Sequence, residues 1–214
     1  MHLEYNHQGI AYYTNGLSDY LCEDVWNFYY KNKDSLTLPG ITMSGGNGGD
    51  ENNPWKHTLD QDIKRLPQCN EDIVAERNNI DDRIYEEIKL PVSHYLDTYD
   101  QLAKAPNIID TGYLWQMYQQ NDGYYKEHVD GDNWNYDTIH RVAAIVCYIN
   151  TVDEGGETYF RYQDFSVKPK KGGVIIFPSS WMYPHEAKMP LSSDKLILSS
   201  FLVCNPPNGH MHSH

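Results

Sequence analysis

Apolar positions along this chain change their rhythm near residue 111. Before that point they recur at helical spacing. In 17–31, LSDYLCEDVWNFYYK, Leu17, Leu21, Val25 and Phe28 line one face, and Ser18 or Asp19 is placed to cap the start. In 80–90, IDDRIYEEIKL, Ile80, Ile84 and Ile88 repeat every fourth residue. Pro91 then breaks that helix or begins a second one through Val92, Tyr95, Leu96 and Tyr99. After residue 111 the apolar residues form short runs: 112–119 (GYLWQMYQ), 141–150 (RVAAIVCYIN), 157–160, 173–177 (GVIIF) and 195–204 (KLILSSFLVC). Glycine, proline, asparagine and aspartate separate them, which predicts strands joined by turns. The pattern gives an α+β chain with a mainly β core, a sandwich or jelly-roll barrel. Residues 1–110 are expected to be mainly helical support, 111–204 the core and 205–214 a tail. The stretch 39–54, PGITMSGGNGGDENNP, reads as a loop, either a substrate lid or a plain surface insertion.

The 214 residues suit one domain, 1–214. The net charge of −13 argues against a broad phosphate-binding face, so no nucleic-acid partner is expected. No run approaches transmembrane length, and MHLEYNHQG has no apolar signal core, so no membrane partner is expected. The four cysteines form no C-x-x-C pair, and Cys147 sits in an apolar run. A reducing cytoplasm is the expected compartment.

The chemistry concentrates in four residues. His128 and Asp130 form an H-x-D triplet, His185 follows, and Lys195 lies ten residues beyond it. On a strand, residues i and i+2 share a face, so His128 and Asp130 are expected to point together. A third ligand from a distant segment, His185, completes a two-His, one-carboxylate set that suits Fe(II) and leaves coordination positions open. A 2-oxo acid and O2 suit those positions, with the Lys195 ammonium holding the far carboxylate of 2-oxoglutarate. Tyr118 and Tyr148 are candidate second contacts to that co-substrate. Tyr125, Trp181 and Phe201 are candidates for the substrate mouth, with Trp134 and Tyr183 as further aromatic walls. His210, His212 and His214 alternate in the tail, without a carboxylate or packed strand beside them, and are read as tail rather than site.

Taken together, these stretches resemble the 2-oxoglutarate- and Fe(II)-dependent prolyl hydroxylases. Tyr118, Tyr125, His128 and Asp130 resemble the family's Y…Y-x-x-H-x-D segment. Tyr148-Ile149-Asn150 is similar to its Y-L-N strand, and Glu154-Gly155-Gly156-Glu157-Thr158 to the E-G-G-E-T turn that follows. Lys168-Pro169-Lys170-Lys171-Gly172 resembles the K-P-K-K-G before a core strand. Pro184-His185-Glu186-Ala187 resembles the oxygen-sensing branch, whereas Lys195 resembles the collagen-type branch. Phe201 stands where the oxygen-sensing branch has Trp. The resemblance implies a single oxygenase domain folded as a double-stranded β-helix (jelly-roll, cupin-like) with supporting N-terminal helices. It also implies Fe(II), 2-oxoglutarate and ascorbate as cofactors, O2 as co-substrate, and a peptide or protein containing proline as partner. The products are a hydroxylated substrate, succinate and CO2, and no protein general base is needed. The competing readings are the same chemistry on a free amino acid, another side chain or a small molecule, and a non-catalytic cupin-like sensor.

Overall fold

The computed structural model describes residues 1–42, 54–62, 70–105, 107–131 and 140–204. Most of the glycine-rich stretch 39–54, Trp134 and the tail 205–214 lie outside the described residues. The chain begins with a hairpin, β1 (His2–His7) and β2 (Ile10–Thr14), followed by α1 (Asp19–Leu36). Short strands β3 (Leu38–Pro39), β4 (Lys56–His57) and β5 (Leu59–Gln61) precede α2 (Glu71–Thr98) and α3 (Asp100–Ala103). Nine strands follow: β6 (Ile108–Asp110), β7 (Leu114–Tyr118), β8 (Tyr124–His128), β9 (His140–Tyr148), β10 (Thr158–Phe160), β11 (Phe165–Val167), β12 (Val174–Pro178), β13 (His185–Ala187) and β14 (Lys195–Cys204).

The strands form two antiparallel sheets. The major sheet runs β1-β2-β12-β9-β14-β7-β5-β3, with β6 also paired to β14. The minor sheet runs β11-β10-β13-β8-β4. Alternation along the major sheet's strands divides the core in two. Ala143, Ile145 and Cys147 of β9, Val174 and Ile176 of β12, and Leu196 and Leu198 of β14 face α1 and α2. The intervening residues, Ala144, Tyr148, Ile175, Phe177 and Ile197, face the minor sheet. Both faces are covered, which is why the runs read as nearly continuous apolar segments. Burying each such aliphatic side chain contributes roughly 1.5–3 kcal/mol.

The first hairpin escaped the sequence pattern for the same reason. In β2, Ala11 and Tyr13 join the helix-side core, whereas Ile10 and Tyr12 join the inner one, so no polar face marks it. Gln8 and Gly9 close the hairpin with φ of 49° and 88°, the left-handed pair that a two-residue turn requires. Residues 1–110 therefore supply β1 to β6 as well as the helices.

Pro91 neither breaks nor restarts a helix, since α2 runs through it. An interior proline removes one backbone bond, at a cost of about 3 kcal/mol. Here Ile80, Ile84, Ile88, Pro91 and Tyr95 are all buried, and that continuous stripe against the sheet offsets the loss. The start of α1 is capped by Ser18, whose Oγ accepts from the Leu21 N–H. Glu87 of α2 accepts from both the Ser18 N–H and Oγ, which ties the two helices together.

One buried guanidinium fixes α2 to the sheet. Arg77 donates to Asp81 at 3.1 Å and to the Tyr113 carbonyl at 2.9 Å, and lies 3.7 Å over the Trp115 ring. Trp115 Nε1 donates to the same Asp81. Arg77→Met keeps the stem and strands the carboxylate. It should cost about 3 kcal/mol, the lower end for a broken buried pair because Asp81 is partly exposed. Thermal denaturation followed by circular dichroism should show a melting temperature lower by roughly 10 °C.

Candidate metal and dicarboxylate site

His128, Asp130 and His185 meet at one end of the space between the sheets. One ligand atom from each lies within 4.8 Å of the others, the only such three-residue cluster among the described residues. His128 ends β8 and His185 opens β13, and the two residues are register partners across the minor sheet. Asp130 lies just past the end of β8, so the two-residue spacing does not act through a continuous strand as expected. A turn does the aiming instead. The Gly131 N–H donates to the Ser179 carbonyl at 2.6 Å, and Ser179 Oγ donates to the Arg141 carbonyl. A Cβ at position 131 would come within 2.5 Å of that Ser179 oxygen, so only glycine permits this approach.

The imidazoles are held by their far nitrogens. His128 Nδ1 donates to the Lys126 carbonyl at 2.8 Å, and His185 Nδ1 to the Tyr183 carbonyl at 3.1 Å. A carbonyl only accepts, so the proton sits on Nδ1 and each Nε2 lone pair points inward. Both Nε2 atoms lie 3.5 Å from an Asp130 carboxylate oxygen. Burial, reinforced by the neighbouring His128, lowers His185 to about 4, although the Asp130 charge opposes this. Burial alone would raise the Asp130 carboxyl. Attraction to His185, His128 and Arg141 outweighs it and brings Asp130 to about 2. At neutral pH the cluster therefore offers a neutral His185 lone pair and an ionised carboxylate. That donor set fits a divalent first-row metal with open positions.

Lys195 opens β14 on the inner face, opposite Tyr118 of β7. The residue is 1% exposed, and its ammonium lies 4.1 Å from the Tyr118 ring centroid and donates to the Gly156 carbonyl at 2.9 Å. Burial lowers it to about 7, with the Glu157 charge acting the other way. Tyr148, on the adjacent inner-face position of β9, shares a 2.8 Å hydrogen bond with Thr158. Burial first, and nearby carboxylates at Tyr118, push both phenols well above their ordinary range, so they remain O–H donors. The structure thus gathers Lys195, Tyr118 and Tyr148 on the inner face.

The proposed substrate aromatics are more dispersed. The Tyr125 ring lies flat on His128, with centroids 3.6 Å apart and planes at 12°. Phe201 is half-buried beneath the Arg141 guanidinium, which stands 3.8 Å over its ring and donates to the Asp130 carbonyl. Trp181 is 72% exposed and is not packed into the site. Tyr183 spends its hydroxyl on the Gln8 carbonyl. Sequence reading missed Arg141, Thr158 and a buried Lys56–Asp60 pair. For Arg141 the available signal was a charge at the head of an otherwise apolar strand. Thr158 meets Tyr148 from ten residues away, and the Lys56–Asp60 pair, although only four residues apart, carries no sequence sign of its burial.

Residues 113–203 match the family model described as the 2OG-Fe(II) oxygenase superfamily. No curated protein matches the chain by sequence. A viral collagen prolyl hydroxylase from Paramecium Bursaria Chlorella virus-1, solved with 2OG, is 18% identical; the match covers 92% of this chain and 97% of that one, with a TM-score of 0.62. A Pseudomonas putida prolyl-4-hydroxylase is 16% identical over 92% of each chain, with a TM-score of 0.60. A Trichoplax adhaerens prolyl hydroxylase, solved with a hypoxia inducible factor peptide fragment, is 16% identical over 91% of this chain and 83% of its own, with a TM-score of 0.58. These likenesses give the fold as the double-stranded β-helix of 2OG oxygenases. No helix among the described residues is long and apolar enough to cross a membrane.

Proposed function

We propose that this chain, whose residues 113–203 match the 2OG-Fe(II) oxygenase superfamily model, is such an oxygenase and hydroxylates an unactivated C–H bond, that of a prolyl residue in a peptide or protein. The observation that carries the reading is the convergence of His128, Asp130 and His185, together with a buried lysine, Lys195, on the inner face of the major sheet. In this reading the three residues hold Fe(II), with ascorbate keeping the metal reduced. Bound iron with 2-oxoglutarate and O2 supplies the oxidising chemistry: R–H, O2 and 2-oxoglutarate become R–OH, succinate and CO2.

The protein's part is binding, orientation and exclusion of water. Lys195 pairs with the distal carboxylate of 2-oxoglutarate, and the Tyr118 and Tyr148 hydroxyls are the candidate neutral donors to the same molecule. Phe160, Phe177, Ile197 and Val167 surround that space with apolar surface, which keeps water away. Tyr125, Phe201 and the Arg141 plane above it form the wall beside the ligands where a peptide would lie, with Trp181 an exposed candidate at the rim. Prolyl hydroxylation is supported by the character of the structural neighbours and by these flat aromatic and guanidinium surfaces, which suit a proline ring. Mass spectrometry of proline-containing peptides incubated with Fe(II), ascorbate and 2-oxoglutarate tests it. A proline gaining the mass of one oxygen is the expected product. Succinate formation with free amino acids but not with peptides would move the reading to a small-molecule substrate. No succinate with any of these substrates would favour a sensor.

Lys195 also makes co-substrate binding pH-dependent. Its ammonium is half lost at about pH 7 and is depleted progressively above it. The affinity for 2-oxoglutarate should therefore fall as pH rises past 7, by up to about tenfold per unit. Titration calorimetry in buffers of different ionisation enthalpy should register proton uptake on binding. The stability effect has the opposite sign. Between about 7 and 10.5 the unfolded lysine keeps a proton that the folded one has lost, so Lys195's contribution to ligand-free stability rises with pH.

A further inference from the structure

Lys56 and Asp60 form a 2.7 Å ion pair whose side chains are 2% and 0% exposed. Removing two charges from water costs several kcal/mol per ion, and apolar residues of similar volume generally hold a corner as well or better. The position of this pair is specific. Lys56 lies in β4, the edge of the minor sheet, and Asp60 in β5 of the major sheet. The chain crosses between the sheets through Thr58, whose Oγ1 donates to Asp60 Oδ1 at 2.7 Å. The pair thus ties the two sheets together beside the site. Lys56 is the register partner of Tyr125, and its ammonium stands 5.4 Å from that ring's centroid. Tyr125 in turn lies flat on the His128 imidazole.

We propose that Lys56 and Asp60 are positioning residues for His128: the ammonium, anchored by Asp60 across the sheet corner, fixes the Tyr125 ring that sets the imidazole's orientation. The proposal rests on the reading of His128, Asp130 and His185 as metal ligands. Partners that orient a ligand typically change metal affinity by about 10- to 100-fold. A pair that only closed the corner would change stability and leave metal affinity untouched.

Co(II), whose visible absorption reports coordination geometry, is the probe. Its dissociation constant and spectrum are measured for the wild type, Asp130→Ala, Lys56→Arg and the apolar double variant Lys56→Met/Asp60→Leu. The double variant should remain folded, bind Co(II) about tenfold more weakly and show an altered spectrum, while Lys56→Arg stays near wild type. Wild-type affinity and spectrum in the folded double variant would overturn the proposal. Should the double variant not fold, Tyr125→Leu keeps the question open to decision. With the ion pair intact it should lose Co(II) affinity by a similar factor, and wild-type affinity there would overturn the proposal. Where both fold, combining them should weaken binding no further than Tyr125→Leu alone, and additive losses would contradict the route through that ring. Equal Co(II) binding by wild type and Asp130→Ala would instead defeat the ligand assignment, separately from any effect of the pair.

Discussion

Asp130→Ala should abolish turnover and weaken metal binding by at least about a hundredfold. Asp130 is the only carboxylate in the three-residue cluster, and it is ionised at neutral pH. Its loss leaves two imidazoles to hold a dication, with no negative charge to offset it. Titration calorimetry with Fe(II) under anaerobic conditions, together with succinate formation, measures both effects. The backbone around position 130 is held by the Gly131, Ser179 and Arg141 bonds rather than by the carboxylate. The variant should therefore fold, which separates lost chemistry from lost structure. Full activity with bound iron in this variant would make the assignment wrong.

Lys195→Met should raise the KM for 2-oxoglutarate by roughly a hundredfold, about 3 kcal/mol, while leaving metal affinity near wild type. Methionine preserves the length of the stem packed over Tyr118 but carries no charge. The incoming carboxylate would then be buried without a counterion, and that cost falls on co-substrate binding. kcat at saturating 2-oxoglutarate should fall much less than kcat/KM, because the contact proposed for the lysine is with the distal end of the co-substrate rather than with the metal. An equal fall in kcat and kcat/KM would assign Lys195 a different task.

Much of this arrangement was legible in the chain, for identifiable physical reasons. The runs at 112–119, 141–150, 173–177 and 195–204 correspond to β7, β9, β12 and β14 because their residues are buried on both faces and bounded by turn formers. Helix α1 followed from an apolar face with a serine cap. The pattern failed where tertiary packing overrides local preference. Pro91 signals a break, yet a buried stripe carries α2 through it. The β1–β2 hairpin has no helix-like period and only one alternating strand. Of the short minor-sheet strands, β10 answers to the run at 157–160, whereas β11 and β13 are too short for periodicity to mark them.

The site divides in the same way. His128, Asp130, His185 and Lys195 were visible as residue types in a recognisable order. Their order does not reveal that a turn, rather than a strand, aims Asp130. Nor does it reveal that Arg141 covers Phe201, or that Lys56 and Asp60 sit buried beside Tyr125. Those contacts join residues whose separation in the chain carries no periodic signal. Trp181 shows the reverse limit: composition singles it out, but burial does not distinguish it from the rest of the surface.

The central claim is that one site binds Fe(II) through His128, Asp130 and His185, and 2-oxoglutarate through Lys195. Anaerobic titration of the Fe(II)-loaded protein with 2-oxoglutarate tests it most directly, because chelation of iron by a 2-oxo acid produces a visible charge-transfer band without any substrate. The band should form with the wild type, require roughly a hundredfold more 2-oxoglutarate with Lys195→Met, and be absent with Asp130→Ala. No band with the wild type, or an undiminished band with Asp130→Ala, would contradict the account.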